Sequence, residues 1–152
     1  MCAAGHEETK IKRVENFNQN PHPKIYSRAR KGWVESGERR FFARSKWEAN
    51  YGRYLEFLRT CGHVLDWEHE PETFWFMTIK RGCRSYLPDF RVVMSDGSTE
   101  YHEVKGYMDP KSKTKIRRMA KYNPSVKLII RCSKWFKQNN RDLRAIVPGW
   151  EQ

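Results

Sequence analysis

The sequence predicts an α/β fold in which a mixed central β-sheet is flanked by helices. Three observations lead there. Apolar residues between Ser45 and Cys61 recur at helical spacing. Two runs with strand alternation flank Asp96-Gly97, and Asp-Gly between such runs is the strongest short-range hairpin signal. A basic helical stretch then separates that hairpin from an apolar β-branched run, Val126-Lys-Leu-Ile-Ile-Arg131. Strand, helix and strand in that order make a right-handed crossover and a parallel pair. An antiparallel hairpin joined to a parallel crossover is a mixed sheet.

Residues 1–43 have a different texture. Asn16-Phe-Asn-Gln-Asn-Pro-His-Pro23 is loop-like and Ser27-Arg-Ala-Arg-Lys-Gly32 is basic, so this stretch reads as a partly ordered N-terminal arm that is either solvated or in contact with phosphates or a second subunit. The core spans 44–132. Its first helix runs from Ser45 to Cys61, with Trp47, Tyr51, Tyr54, Leu55 and Leu58 on the apolar face and Gly62 as its stop. Ser45-x-x-Glu48 has the form of a capping box. Glu56 points away from the apolar face and is expected in solvent. Val64–Glu68 and Thr73–Ile79 read as strands, with Trp75 packed in the core. The hairpin occupies Tyr86–Val104. A basic helix covers Lys111–Tyr122 and ends at Asn123-Pro124. Val126–Arg131 reads as a buried strand. Residues 133–152 form an extension on the core, with Trp135 and Phe136 opening a short helix.

Length and composition narrow the class. At 152 residues the chain suits one domain. Hydrophobic residues make up 38% and charged residues 32%, and no stretch has the apolar length of a membrane span. The first residues lack the apolar stretch of a secretory signal, which gives an expectation of cytoplasmic location and no membrane partner. The net charge of +12 implies a polyanionic partner, nucleic acid before any other. Between Lys105 and Lys121 there are seven Lys or Arg and one acid, Asp109. Lys111, Lys113, Lys115, Arg117, Arg118 and Lys121 are therefore read as phosphate contacts, which would make binding strongly salt-dependent. Tyr107 and Trp75 are candidates for stacking on bases, with core packing the preferred reading for Trp75. Cys2, Cys61, Cys83 and Cys132 are too scattered for a zinc ribbon and are read as reduced thiols.

The chemistry is concentrated in the hairpin. Pro88-Asp89 is followed, after thirteen residues, by Glu103-Val104-Lys105. Side chains alternate along a strand, so Glu103 and Lys105 share a face. Asp is depleted in strands, which singles out Asp89 beside Phe90 and Val92. Two carboxylates converging beside a main-chain carbonyl, that of Val104, offer hard oxygen ligands for Mg²⁺, with Mn²⁺ as a substitute. Lys105 adds a compact positive charge able to orient a water or stabilise a transition state. His102 faces away from Glu103 and is read as a packed histidine.

Pro88-Asp89 with Glu103-Val104-Lys105 resembles the PD-(D/E)xK nuclease superfamily, whose core is restriction-endonuclease-like. Many members carry a Glu on a preceding helix, and Glu48 sits where that residue is expected. The resemblance covers about Ser45 to Arg131. Tyr86-Leu-Pro-Asp-Phe with Glu-Val-Lys-Gly-Tyr is most similar to small phage-encoded endonucleases that resolve DNA junctions. It implies a Mg²⁺-dependent endodeoxyribonuclease with Glu48, Asp89, Glu103 and Lys105 as catalytic residues. Glu48, Asp89, Glu103 and Val104 would hold the metal, and DNA would be the substrate. A junction-selective enzyme would also be a homodimer, because two symmetric cuts need two active sites, and if phage-encoded it would act in the host cytoplasm. Two other classes compete: a non-catalytic basic nucleic-acid-binding module, and a zinc-stabilised protein built on the Cys and His residues.

Overall fold

The structure is a computed structural model and describes residues 31–150. Its centre is a four-stranded sheet of β3 (Val64–His69), β6 (Phe90–Met94), β7 (Thr99–Lys105) and β8 (Lys127–Cys132), in that spatial order. β6 is antiparallel to β3 and to β7, while β8 is parallel to β7. The sheet is mixed, as the hairpin and crossover predict. α1 (Lys46–Thr60), α2 (Pro110–Tyr122) and α3 (Ser133–Ile146) flank it.

Each connection has a local cause. Ser45 caps α1, its Oγ accepting the Glu48 amide at 3.1 Å. The β6–β7 turn closes with the Gly97 amide on the Met94 carbonyl at 2.9 Å, and Gly97 takes φ +82°, which a Cβ would disfavour. Asp109 caps α2 through the Ser112 amide at 2.7 Å, with Pro110 at the first helical position.

The main core lies between the sheet, α1 and α3. Tyr51, Leu55, Val64, Trp67, Phe90, Val92, Phe136 and Leu143 are buried there. Each large apolar side chain so removed from water contributes about 1.5–3 kcal/mol. The polar side of this interface is fully wired. His102 Nε2 donates to Glu100 Oε2 at 3.0 Å, so its Nδ1 accepts the Tyr51 hydroxyl at 2.7 Å. Arg131 Nε donates to the same hydroxyl oxygen at 3.0 Å. Burial pushes the His102 pKa down. His102 is therefore a packed histidine on the face of β7 opposite Glu103. A second, smaller core joins Phe76, Tyr86 and Met119 beneath α2.

Six expectations need correction. Within the stretch read as an arm, residues 1–30 lie outside the described residues, and β1 (Gly32–Ser36) and β2 (Arg39–Ala43) form a hairpin whose Val34, Phe41 and Ala43 enter the core. The run 73–79 supplies only a two-residue strand, β4 (Phe74–Trp75), paired with β5 (Ser85–Tyr86). Trp75 is not in the core but 61% exposed, because Phe76 takes the inward position beside it. Glu56 is not in solvent: it is buried, accepting Trp67 Nε1 at 2.9 Å and Arg59 Nη2 at 2.7 Å. β8 is not a fully buried strand, since it forms an edge of the sheet and leaves Leu128, Ile129 and Ile130 half-buried. The short helix expected near Trp135 extends to 14 residues, held by Phe136 and Leu143 in the core.

Among the described residues no helix is long and apolar enough to cross a membrane.

Candidate active site

Strand pairing brings the hairpin residues together. The β6–β7 ladder ends at Phe90 opposite His102. One step further on each strand, Asp89 meets the segment Glu103–Lys105. Asp89 Oδ2 accepts the Val104 amide at 2.7 Å, so a side chain takes over where the backbone ladder stops. The N–H and C=O of one strand residue leave the chain on the same edge, which turns the Val104 carbonyl toward the Asp89 side as well.

Glu103 and Lys105 share a face, as alternation requires. Lys105 Nζ donates to Glu103 Oε1 at 3.3 Å, and the Tyr86 hydroxyl donates to Glu103 Oε2 at 2.8 Å. Glu103 is buried while Lys105 is half-buried, so the ammonium stands between the carboxylate and solvent.

Glu48 arrives from α1. Trp47 beside it packs over Gly106, where an added Cβ would lie 3.0 Å from the indole ring. That contact sets the N-terminus of α1 against the end of β7. The Glu48 carboxylate is buried and doubly held: Oε2 accepts the Arg44 amide at 3.1 Å and Oε1 lies 2.7 Å from His69 Nε2. The capping role is thus real but reaches Arg44 rather than Ser45. A carboxylate only accepts, so the His69 Nε2 carries the proton. His69 is itself clamped between Phe41 and Phe90, at ring separations of 5.0 and 5.2 Å.

The electrostatics follow from crowding. Burial first, then the Glu103 and Glu48 charges, push the Asp89 carboxyl up to about 8, against the opposing Val104 amide and Lys105. Glu103 is also raised, by burial, with Lys105 and the Tyr86 hydroxyl pulling the other way. Burial and the neighbouring Glu103 raise the Tyr86 hydroxyl strongly, so it remains a donor. Carboxylates held partly protonated by one another are in the state that a divalent cation relieves. The donor atoms at hand, carboxylate oxygens and a main-chain carbonyl, are hard oxygens suited to Mg²⁺ or Mn²⁺. Among the described residues no three His, Cys, Asp or Glu side chains already stand as a metal cage; Glu48 in particular is turned to His69 and Arg44.

Four residues separate β7 from the basic helix. Lys111, Lys113, Arg117 and Lys121 are exposed on it. Lys115 is half-buried and lowers the Glu103 pKa, so its charge bears on the site. Arg118 instead donates to the Cys83 carbonyl and ties the β4–β5 segment to α2. Cys61, Cys83 and Cys132 are free thiols.

Two residues of the site escape sequence reasoning. His69 is 21 residues from Glu48, and only the packing of β3 on α1 joins them. Tyr86 carries a weak signal: a hydroxyl-bearing aromatic three residues before Asp89, at the end of a strand.

No curated protein matches the chain. One family model matches residues 28–137, a span that holds the β1–β2 hairpin, the whole central sheet and every candidate site residue. The chain belongs to the family described as "Protein of unknown function (DUF1064)".

Proposed function

We propose that the protein is a metal-dependent endodeoxyribonuclease of the PD-(D/E)xK type. The observation that carries this reading is the junction of Asp89 with Glu103-Val104-Lys105: the 2.7 Å bond from the Val104 amide to Asp89 sets two carboxylates, a main-chain carbonyl and an ammonium at one end of the hairpin. Phosphodiester hydrolysis asks for that set. Asp89, Glu103 and the Val104 carbonyl would hold Mg²⁺, with Glu48 beside them on α1. A bound Mg²⁺ supplies an acidified water and neutralises phosphate charge. Lys105, placed at 3.3 Å from Glu103 and open to solvent on one side, orients the attacking water and meets the charge that develops on the phosphate. The exposed lysines and arginine of α2 bind the flanking phosphates. His69 positions Glu48, and Tyr86 positions Glu103.

The test is cleavage of supercoiled plasmid, linear duplex and a four-way junction by the purified protein, in Mg²⁺ and in EDTA, beside the Lys105→Ala variant. Cutting in Mg²⁺, loss in EDTA and a decrease of about 10²–10³-fold in the variant are expected. A preference for the junction would assign the substrate class. Binding to every substrate without cleavage, in Mg²⁺ and in Mn²⁺, would overturn the reading in favour of a non-catalytic binding module.

A further inference from the structure

The segment between β4 and β5 is built in an unusual way. Its inner side is anchored: Phe76 is buried against Tyr122, at a ring separation of 5.6 Å, and the Phe76 amide bonds to the Arg84 carbonyl at 2.8 Å. Arg118 of α2 holds the Cys83 carbonyl from below. Its outer side is apolar and cationic at once. Trp75 is 61% and Met77 89% exposed, and Lys80, Arg81 and Arg84 are exposed around them. From Thr73 to Pro88 there is no acidic residue. Among the described residues nothing folds over Trp75, so a fixed backbone presents a large aromatic side chain beside exposed cations. Single exposed apolar residues are ordinary, but an exposed indole fixed beside exposed cations is the chemistry of a stacking platform for nucleic acid.

The location adds to this. Trp75 pairs with Ser85, and the next residue, Tyr86, bonds Glu103. The platform and the candidate active site are thus two sides of one short ribbon, which Arg118 ties to α2.

We propose that the β4–β5 segment binds a DNA strand with unpaired bases, Trp75 stacking on a base while Lys80, Arg81 and Arg84 contact the phosphates beside it. The inference rests on the nuclease reading and specifies its substrate: DNA that offers an unstacked base near the cut, as single strands, forks and junctions do. In a closed duplex the base faces are stacked on one another and closed to an indole, while the phosphates stay open to the cations.

The experiment is a binding titration of the full chain with a labelled single strand, a forked duplex and a blunt duplex, in Ca²⁺ without Mg²⁺. Wild type, Trp75→Ala and Trp75→Phe are compared, with thermal melts to verify folding. Trp75→Ala is expected to weaken binding to single-stranded and forked DNA about tenfold and to leave blunt duplex unchanged, with Trp75→Phe restoring most of the loss. Equal affinities for all three proteins would overturn the proposal, as would an equal loss on blunt duplex. A Trp75-dependent dimer in sedimentation without DNA would overturn it too, because the indole would then serve a second copy of the chain. Failure of the nuclease reading looks different: Trp75-dependent binding would persist while no substrate is cut in Mg²⁺.

Discussion

Asp89 accepts the main-chain amide of Val104 through Oδ2 at 2.7 Å. This one bond joins the end of β6 to the strand residue that lies between Glu103 and Lys105. A carboxylate that satisfies a backbone donor is held in place before any ligand arrives, so the site is ordered by the sheet itself. The same placement keeps Asp89 beside two other acids, and its stability cost is set by pH.

The Asp89 carboxyl is held at about 8 in the folded chain against an ordinary value of 3.8. Between those values the folded state retains a proton that the unfolded state has lost, so in metal-free protein this group reduces stability as pH rises through that window. Below it the group costs nothing. Asp89→Asn, which keeps an oxygen for the Val104 amide, should therefore be more stable than wild type at pH 8 and close to it at pH 4. Urea melts of the two proteins in EDTA across that range are the check. A difference independent of pH would mean that Asp89 is not crowded by acids. Adding Mg²⁺ at pH 8 should stabilise wild type and not the variant.

Tyr86→Phe isolates the hydroxyl on Glu103 Oε2. The ring is buried beneath α2 and stays, while a buried acceptor loses its 2.8 Å donor. Leaving such a group unpaired costs about 1–3 kcal/mol. Because the hydroxyl orients Glu103, Mn²⁺ affinity measured by calorimetry should fall as well. Lower stability with unchanged Mn²⁺ binding would restrict Tyr86 to packing.

Several parts of this fold were legible because period and punctuation agree with tertiary structure. The α1 face, the Asp96-Gly97 turn and the crossover through α2 each carry a local signal that packing does not override. Asp89, Glu103 and Lys105 were legible for the same reason, since alternation and register are fixed once the hairpin is. The β1–β2 hairpin was not. Its buried residues are only Val34, Ser36, Phe41 and Ala43, while Trp33 and Phe42 stay outside and Arg39-Arg40 open the second strand, so the charge pattern reads as a solvated arm. Trp75 was misplaced because Trp75 and Phe76 are equally apolar and alternation cannot say which of two neighbours turns inward. His69 finds Glu48, and Glu56 finds Trp67, across different elements, a relation that has no trace in sequence spacing.

Glu56 is the clearest such case, and it can be measured. Gly37 closes the β1–β2 turn with φ +60°, and a Cβ there would fall 2.2 Å from Glu56 Oε1. The carboxylate thus fits under the turn only because that residue is glycine. It accepts Arg59 Nε at 3.0 Å and Trp67 Nε1 at 2.9 Å, and lies 3.6 Å from Arg39 Nη1. The Arg59 bond first, aided by Trp67, holds its pKa below the ordinary 4.5. Stability from the ionised carboxylate is therefore complete above 4.5 and is lost as pH falls through the lower folded value. Glu56→Ala should cost about 1–3 kcal/mol at neutral pH, chiefly by stranding the buried Trp67 N–H, and less at pH 3. Gly37→Ala should also destabilise, through the unfavourable φ and the clash. Because Glu56→Ala removes the clashing atoms, the double variant should be less unstable than the sum of the two. Additive losses in a urea-melt cycle would show that Gly37 and Glu56 do not meet.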